Sequence, residues 1–172
     1  MSDLALIETE RLVLSGWRAD QLDDLVRLHG DPEVARYLST NGAPWTREEC
    51  EARLQVWIAQ FASERMGKLR ATRKSDNVLV GRAGYGIFAA TGEPEIGFAL
   101  FREFHGMGYA TEAASALRDW LFRDTAWDHF IGFAHVDNAP SIAVLKRIGM
   151  VEIGVEDFHG MDCLVHRLEK PA

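Results

Sequence analysis

Residues 101 to 117 read FREFHGMGYATEAASAL, with Gly106 and Gly108 one residue apart where an apolar strand gives way to helical spacing. Glycine inside a regular element costs about 0.5–1 kcal/mol relative to alanine, so the pair marks a backbone that must itself approach something. The first amides of a helix lack partners within the helix, and the positive end of its dipole lies among them. A glycine turn there suits phosphate or pyrophosphate. The dinucleotide pattern G-x-G-x-x-G fails, because Thr111 stands at its third glycine place. A plain tight connection is the competing explanation of the two glycines.

The elements that must hold this turn follow from periodicity. RLVLSGW (11–17) reads as a strand, and RADQLDDLVRLHG follows with Leu22, Leu25, Val26 and Leu28 on helical spacing and Gly30 as a stop. DPEVARYLS offers Asp31 as N-cap and Pro32 at the first helical position, so a short helix begins there. STNGAP is a loop. TREECEARLQVWIAQFASER opens with Thr46 and Glu49 as a capping box, and its apolar face runs through Leu54, Trp57, Ile58 and Phe61.

KLRATRK (68–74), VLVGRAGYGIF (78–88) and EIGFALF (95–101) are strands separated by the hairpin signals SDN and TGEP. After the glycines, Ala110, Ala113, Ala114, Leu117 and Leu121 make one helical stripe. HFIGFAHV (129–136) is a strand, and NAPSIAVLKRIG (138–149) is a helix that Asn138 can cap and Gly149 ends. VEIGVEDF and MDCLVHRLE close the chain as a strand pair. Strands 95–101 and 129–136 are joined through a helix, so they can run parallel. The expected fold is α+β, a single mixed, largely antiparallel sheet with flanking helices, one domain over residues 1–172.

The chain is 47% apolar and 26% charged, with a formal net charge of -7. That balance argues against a nucleic-acid partner, which normally meets a basic face. No apolar stretch approaches the ~20 residues that span a bilayer, and MSDLALIETE carries no basic signal-peptide start, so the cytoplasm is expected. Cys50 and Cys163 read as buried free thiols. The six histidines show no metal-ligand spacing, and no metal is expected.

FHGMGYATEA resembles the pyrophosphate loop of the GNAT superfamily, the acyl-CoA-dependent N-acetyltransferases. His105, Gly108 and Ala110 fall on the fixed places of its Arg/Gln-x-x-Gly-x-Gly/Ala pattern. The branch typified by ribosomal-protein N-terminal acetyltransferases (RimJ/RimL-like) is nearer, since its loop often reads Trp-Gly-x-Gly-Tyr-Ala-Thr-Glu-Ala. ETERLVLSGW is similar to the opening Thr-x-Arg-Leu-x-Leu-Arg, with Ser15 in place of the last arginine. NAPSIAVLKRIGM is similar to Asn-x-x-Ser-x-x-Val-Leu-x-Lys-x-Gly-Phe, with Arg147 for lysine and Met150 for phenylalanine.

The resemblance implies that strands 95–101 and 129–136 splay into a V-shaped gap filled by the pantetheine arm of acetyl-CoA. That arm would pair with backbone near Phe98, Ala99 and Leu100, the pyrophosphate would sit on the amides of Met107, Gly108, Tyr109, Ala110 and Thr111, and His105 and Gly106 belong to the same cofactor-binding loop. Asn138, Ser141 and Arg147 complete the implied CoA contacts. Asn138 serves equally as a helix cap.

The implied chemistry is amine attack on a thioester. A tyrosine protonates the departing thiolate in many relatives, and Leu145 stands in its place here, so Ser141 is the candidate acid. Glu95 is either the orderer of a proton-accepting water or a solvated strand-end carboxylate. Glu112, in a helix first turn, reads as structural. Tyr37 and Trp45 within 37–45, and His159 in the turn DFHGMD, are the candidate acceptor contacts. Trp17 and Phe61 are either further walls or core, and His135 could also face the acceptor.

Three functions fit. The favoured one is acetyl transfer to a peptide or protein N-terminus, from a monomer or homodimer. The alternatives are a small-molecule amine acceptor, such as a drug, polyamine or amino acid, and a non-catalytic CoA-binding module.

Overall fold

The computed structural model describes residues 4–39 and 41–172. Residues 1–3, and Thr40 within the stretch 37–45, lie outside the described residues. The strands are β1 (Ala5–Glu8), β2 (Leu12–Ser15), β3 (Lys68–Arg73), β4 (Leu79–Phe88), β5 (Glu93–Leu100), β6 (His129–His135), β7 (Val151–Asp157) and β8 (Asp162–Glu169). They form one sheet in the order β1-β2-β3-β4-β5-β6-β8-β7, antiparallel except for β5 beside β6. The expected mixed sheet with one parallel pair is therefore present. β1 was not foreseen as a strand, and β5 begins at Glu93 rather than Glu95, because pairing with β4 carries it through Pro94.

The helices are α1 (Leu22–His29), α2 (Pro32–Ala35), α3 (Arg47–Glu64), α4 (Tyr109–Asp124) and α5 (Ala139–Arg147). Their starts carry the anticipated caps. The Glu33 amide donates to Asp31 at 2.9 Å, and Thr46 and Glu49 exchange side-chain and backbone bonds as a capping box. Alternation along β4 sorts the layers, since residues of opposite parity face opposite sides. Tyr85 packs against Trp120 of α4, while the Arg82 guanidinium lies over Trp57 of α3. α4 turns Ala113, Ala114, Leu117 and Leu121 into the core on one face, and α3 turns Cys50, Leu54, Trp57 and Phe61 toward the other.

The parallel pair is short. β5 meets β6 only at Glu95–Ile131 and Ile96–Gly132, although β4 flanks β5 throughout and β8 flanks β6 throughout. From Gly97 onward the two strands part. Their facing backbone groups lack strand partners, and an unpaired buried group costs about 1–3 kcal/mol. The chain leaves β5 at the open end of this wedge and turns there into α4.

Candidate active site

The turn between β5 and α4 is built around left-handed backbone. Gly106 has φ 74° and Gly108, the N-cap of α4, has φ 81°, values that cost side-chain-bearing residues about 1–2 kcal/mol. Among the described residues, the amides from Gly106 to Thr111 donate to no protein acceptor. Met107 is the exposed tip of the turn. Tyr109 is buried beneath the Arg11 guanidinium, and Ala110 and Thr111 are half-buried. The His105 ring donates through Nε2 to the Leu100 carbonyl at 3.0 Å. That bond ties the turn to the end of β5 and engages one of the two ring nitrogens.

A second brace comes from the far end of the chain. Arg11 bonds Glu112 with its guanidinium at 2.6 Å and its amide at 2.8 Å, and donates to the Met107 carbonyl at 2.9 Å. Thr9 donates to the same carboxylate. Burial alone would push the Glu112 carboxyl up, but Thr9 and Arg11 hold it below the usual carboxylate range. Glu112 is structural, as its position in the first helical turn indicated.

Where β5 and β6 part, a cleft of about 280 Å³ opens on the α1–α3 side. Phe98 of β5, Tyr37, Trp45, Asn138 and Ser141 line it. Ala99 and Leu100 are buried along the same strand. The Asn138 side chain accepts from the Ser141 amide at 3.4 Å, so it caps α5 while both residues border the cleft. Leu145 is buried in the core and offers no proton. Arg147 is exposed on the last turn of α5, and none of the described hydrogen bonds or ion pairs ties it to the 105–111 turn.

Glu95 is not a free strand-end carboxylate. It meets the Lys68 ammonium at 2.9 Å, with the two side chains 23% and 12% exposed. Lys68 also donates to the carbonyls of Gly84 and Glu95. Burial pushes the Lys68 pKa down, and the Glu95 charge opposes that shift. Gly97 makes the space: a Cβ there would lie 2.6 Å from Lys68 Nζ.

Behind this pair, Arg82 donates from Nε to His29 Nε2 at 3.0 Å. Burial, then the charges of Arg82 and Arg53, hold the His29 pKa down to about 2, so the ring is neutral. It stacks on Trp45 with ring centres 3.7 Å apart.

Several expected contacts fall elsewhere. His159 is exposed in the β7–β8 turn, which reaches the cleft through Phe158 and Met161 instead. Trp17 and Phe61 belong to the core. His135 does line the cleft, packed 5.0 Å from Tyr37, and its Nδ1 accepts from the Asp137 amide. Cys50 and Cys163 are buried and unbridged, and Cys163 also borders the cleft. Among the described residues, Asp128, His129 and Glu169 bring three possible metal-ligand atoms together. They lie at the opposite end of β6 from His135, away from the cleft.

Sequence reasoning missed Arg53, Lys68, Arg82 and Phe133 as cleft residues. For Arg82 a signal existed, a lone charge inside the apolar strand VLVGRAGYGIF. Phe133 joins Phe88 and Phe158 in an aromatic cluster that no local pattern announced.

The splayed parallel pair, the glycine turn at a helix start and the adjoining cleft define an acyltransferase of the GNAT type. The family model of the acetyltransferase (GNAT) domain matches residues 11–151, and this chain belongs to that family. It is 27% identical over 150 residues to the N-acetyltransferase p20 of Bacillus licheniformis, itself uncharacterized, covering 86% of this chain and 83% of that protein. Its fold matches the acetyltransferase from Agrobacterium tumefaciens strain C58, with TM-score 0.83, 25% identity and 99% and 96% of the two chains covered. It also matches RimL, the ribosomal L7/L12 α-N-protein acetyltransferase solved with coenzyme A, at TM-score 0.78 and 19% identity over 96% and 98% of the chains. No helix among the described residues is long and apolar enough to cross a membrane.

Proposed function

We propose that this N-acetyltransferase moves an acetyl group from acetyl-CoA to the α-amine of a peptide or protein N-terminus. The observation that carries the reading is the run of amides from Gly106 to Thr111, without a partner among the described residues, in the turn that follows the end of β5 that parts from β6. Those amides and the positive end of α4 suit the diphosphate of CoA. The wedge offers backbone from Phe98 to Leu100 to the pantetheine arm, in the manner of an added strand. The Asn138 side-chain nitrogen remains available beside it, because the cap uses only the oxygen.

The amine nitrogen attacks the thioester carbonyl, the C–S bond breaks and an amide forms. A backbone N–H of β5 polarises the carbonyl. Ser141 gives the thiolate its proton and recovers one from solvent. The proton shed by the amine leaves through water.

Glu95 is bonded to Lys68, so its carboxylate is not free to collect the amine's proton. An acceptor that needs little help therefore fits best. A peptide α-amine, with a pKa of about 7.7–8.0, is partly neutral at physiological pH, whereas a lysine at about 10.4 is not.

A thiol-release screen of acetyl-CoA against N-terminal peptides, polyamines, aminoglycosides and amino acids tests this reading. Turnover with peptides and not with polyamines is expected. Bound acetyl-CoA with no release for any amine would instead mark a CoA-binding module.

A further inference from the structure

The floor of the cleft carries an electrostatic imbalance. Arg82 is only 6% exposed, yet its one described hydrogen bond goes to neutral His29. Among the described residues, no carboxylate comes within ion-pair distance of it. Its neighbour Lys68 already holds Glu95, the one carboxylate among the lining residues, and Arg53 adds a third cation. Three cations against one anion thus face a cleft in a chain whose formal net charge is -7. Glu95 also acts on Arg82, but from beyond ion-pair distance and while bonded to Lys68, so the cations outnumber their counter-ion and the arrangement is suited to an anion that arrives with a ligand.

The geometry fits such an arrival. Arg82 lies over the Trp57 ring at 5.4 Å, and Arg53 lies over Trp45 at 4.1 Å. Stacked guanidinium planes keep their edges free for a planar oxyanion. Only Nε of Arg82 is engaged, which leaves the terminal nitrogens for a forked contact. Arg82 is also paired with Ala99 across β4 and β5, beside the stretch of strand that flanks the wedge. An anion held there leaves the rest of a small acceptor pointing at the parted strands.

Resting on the transferase reading above, we infer that the acceptor carries a carboxylate or phosphate close to its amine, and that Arg82, Lys68 and Arg53 form the subsite that holds it. Acidic amines are thereby selected over neutral and cationic ones.

The test compares matched acceptors that differ in one group. Ser-Glu-Ala-amide is paired with Ser-Gln-Ala-amide, and phosphoethanolamine with ethanolamine, in steady-state thiol release with acetyl-CoA. The anionic member of at least one pair should show a kcat/KM about tenfold higher or more, mainly through KM. Preference in the peptide pair identifies carboxylate, and preference in the amino-alcohol pair identifies phosphate. Arg82→Gln should bring the ratio close to one, and Arg82→Lys should restore part of it.

Arg53→Gln alters an exposed side chain and should lower the ratio with the core intact, so the inference stays testable if Arg82→Gln does not fold. Transfer without anionic preference, or a preference untouched by both Gln variants, overturns the subsite and leaves the transferase reading standing. If no amine is acetylated, the transferase reading falls. Calorimetry of the two peptides on CoA-loaded protein then decides the subsite, and equal affinities overturn it.

Discussion

Arg11 and Glu112 lie 101 residues apart in the chain and meet at 2.6 Å beneath the 105–111 turn. Through Nη1 of the same guanidinium, Arg11 also holds the Met107 carbonyl. One side chain thus joins the β1–β2 turn, the first turn of α4 and the tip of the glycine turn. The turn is braced from outside it, at the Met107 carbonyl and at the helix it leads into.

Removing the brace should therefore cost both stability and cofactor affinity. Glu112→Ala leaves Arg11 and Thr9 without their shared acceptor, at about 1–3 kcal/mol. Arg11→Ala frees the Met107 carbonyl and should weaken CoA binding more than it lowers the melting temperature. Thermal melts and calorimetric titration with CoA, run on both variants, check this. Unchanged CoA affinity in Arg11→Ala would show that the brace does not shape the turn.

The two glycines should respond differently to alanine. Each would put a side chain on left-handed backbone, at about 1–2 kcal/mol. At Gly106 the added Cβ meets nothing within 4 Å, whereas at Gly108 it lies 3.4 Å from Arg11 Nη2. Gly108→Ala should thus lose more CoA affinity than Gly106→Ala. Equal losses would place the whole effect in backbone strain.

Ser141→Ala should lower kcat by about a hundredfold or more if the hydroxyl protonates the thiolate, with CoA affinity kept. Single-turnover rates beside CoA titration separate the two. An unchanged kcat removes Ser141 from the chemistry.

The acidic limb of the pH–rate profile should follow the acceptor. With Glu95 tied to Lys68, the amine must lose its proton on its own, so the apparent pKa in kcat/KM should track that of each amine tested. Profiles for two peptides of different α-amine pKa provide the check. A limb that stays put between them would reveal a protein base.

Acid should destabilise the fold through His29. Its folded pKa of about 2 lies below the unfolded value of 6.5, so the unfolded chain takes the proton first. The stabilisation is complete above the unfolded value and declines by about 1.4 kcal/mol per pH unit as pH falls below it. Burial depresses His166 in the same direction. Urea melts from about pH 7 to about pH 5 should show falling stability, and His29→Gln should flatten the slope. An unaltered slope would assign the acid sensitivity elsewhere.

The amino-acid sequence by itself determined the pieces whose causes are local. The turn at Gly106 and Gly108, the caps at Asp31, Thr46 and Asn138, and the stripes of α3 and α4 depend on φ preference, side-chain reach and periodicity within a few residues. The resemblance to acetyl-CoA-dependent transferases rests on those same local stretches.

Only the tertiary structure decided what meets across the sheet. It inserted β8 between β6 and β7, parted β5 from β6 after Ile96, and paired Glu95 with Lys68 from two strands away. It brought Arg53, Lys68 and Arg82 to one cleft from α3, β3 and β4. Strand order and register set which side chains share a face. Those arise from pairing between distant segments, so a window along the chain carries almost no trace of them.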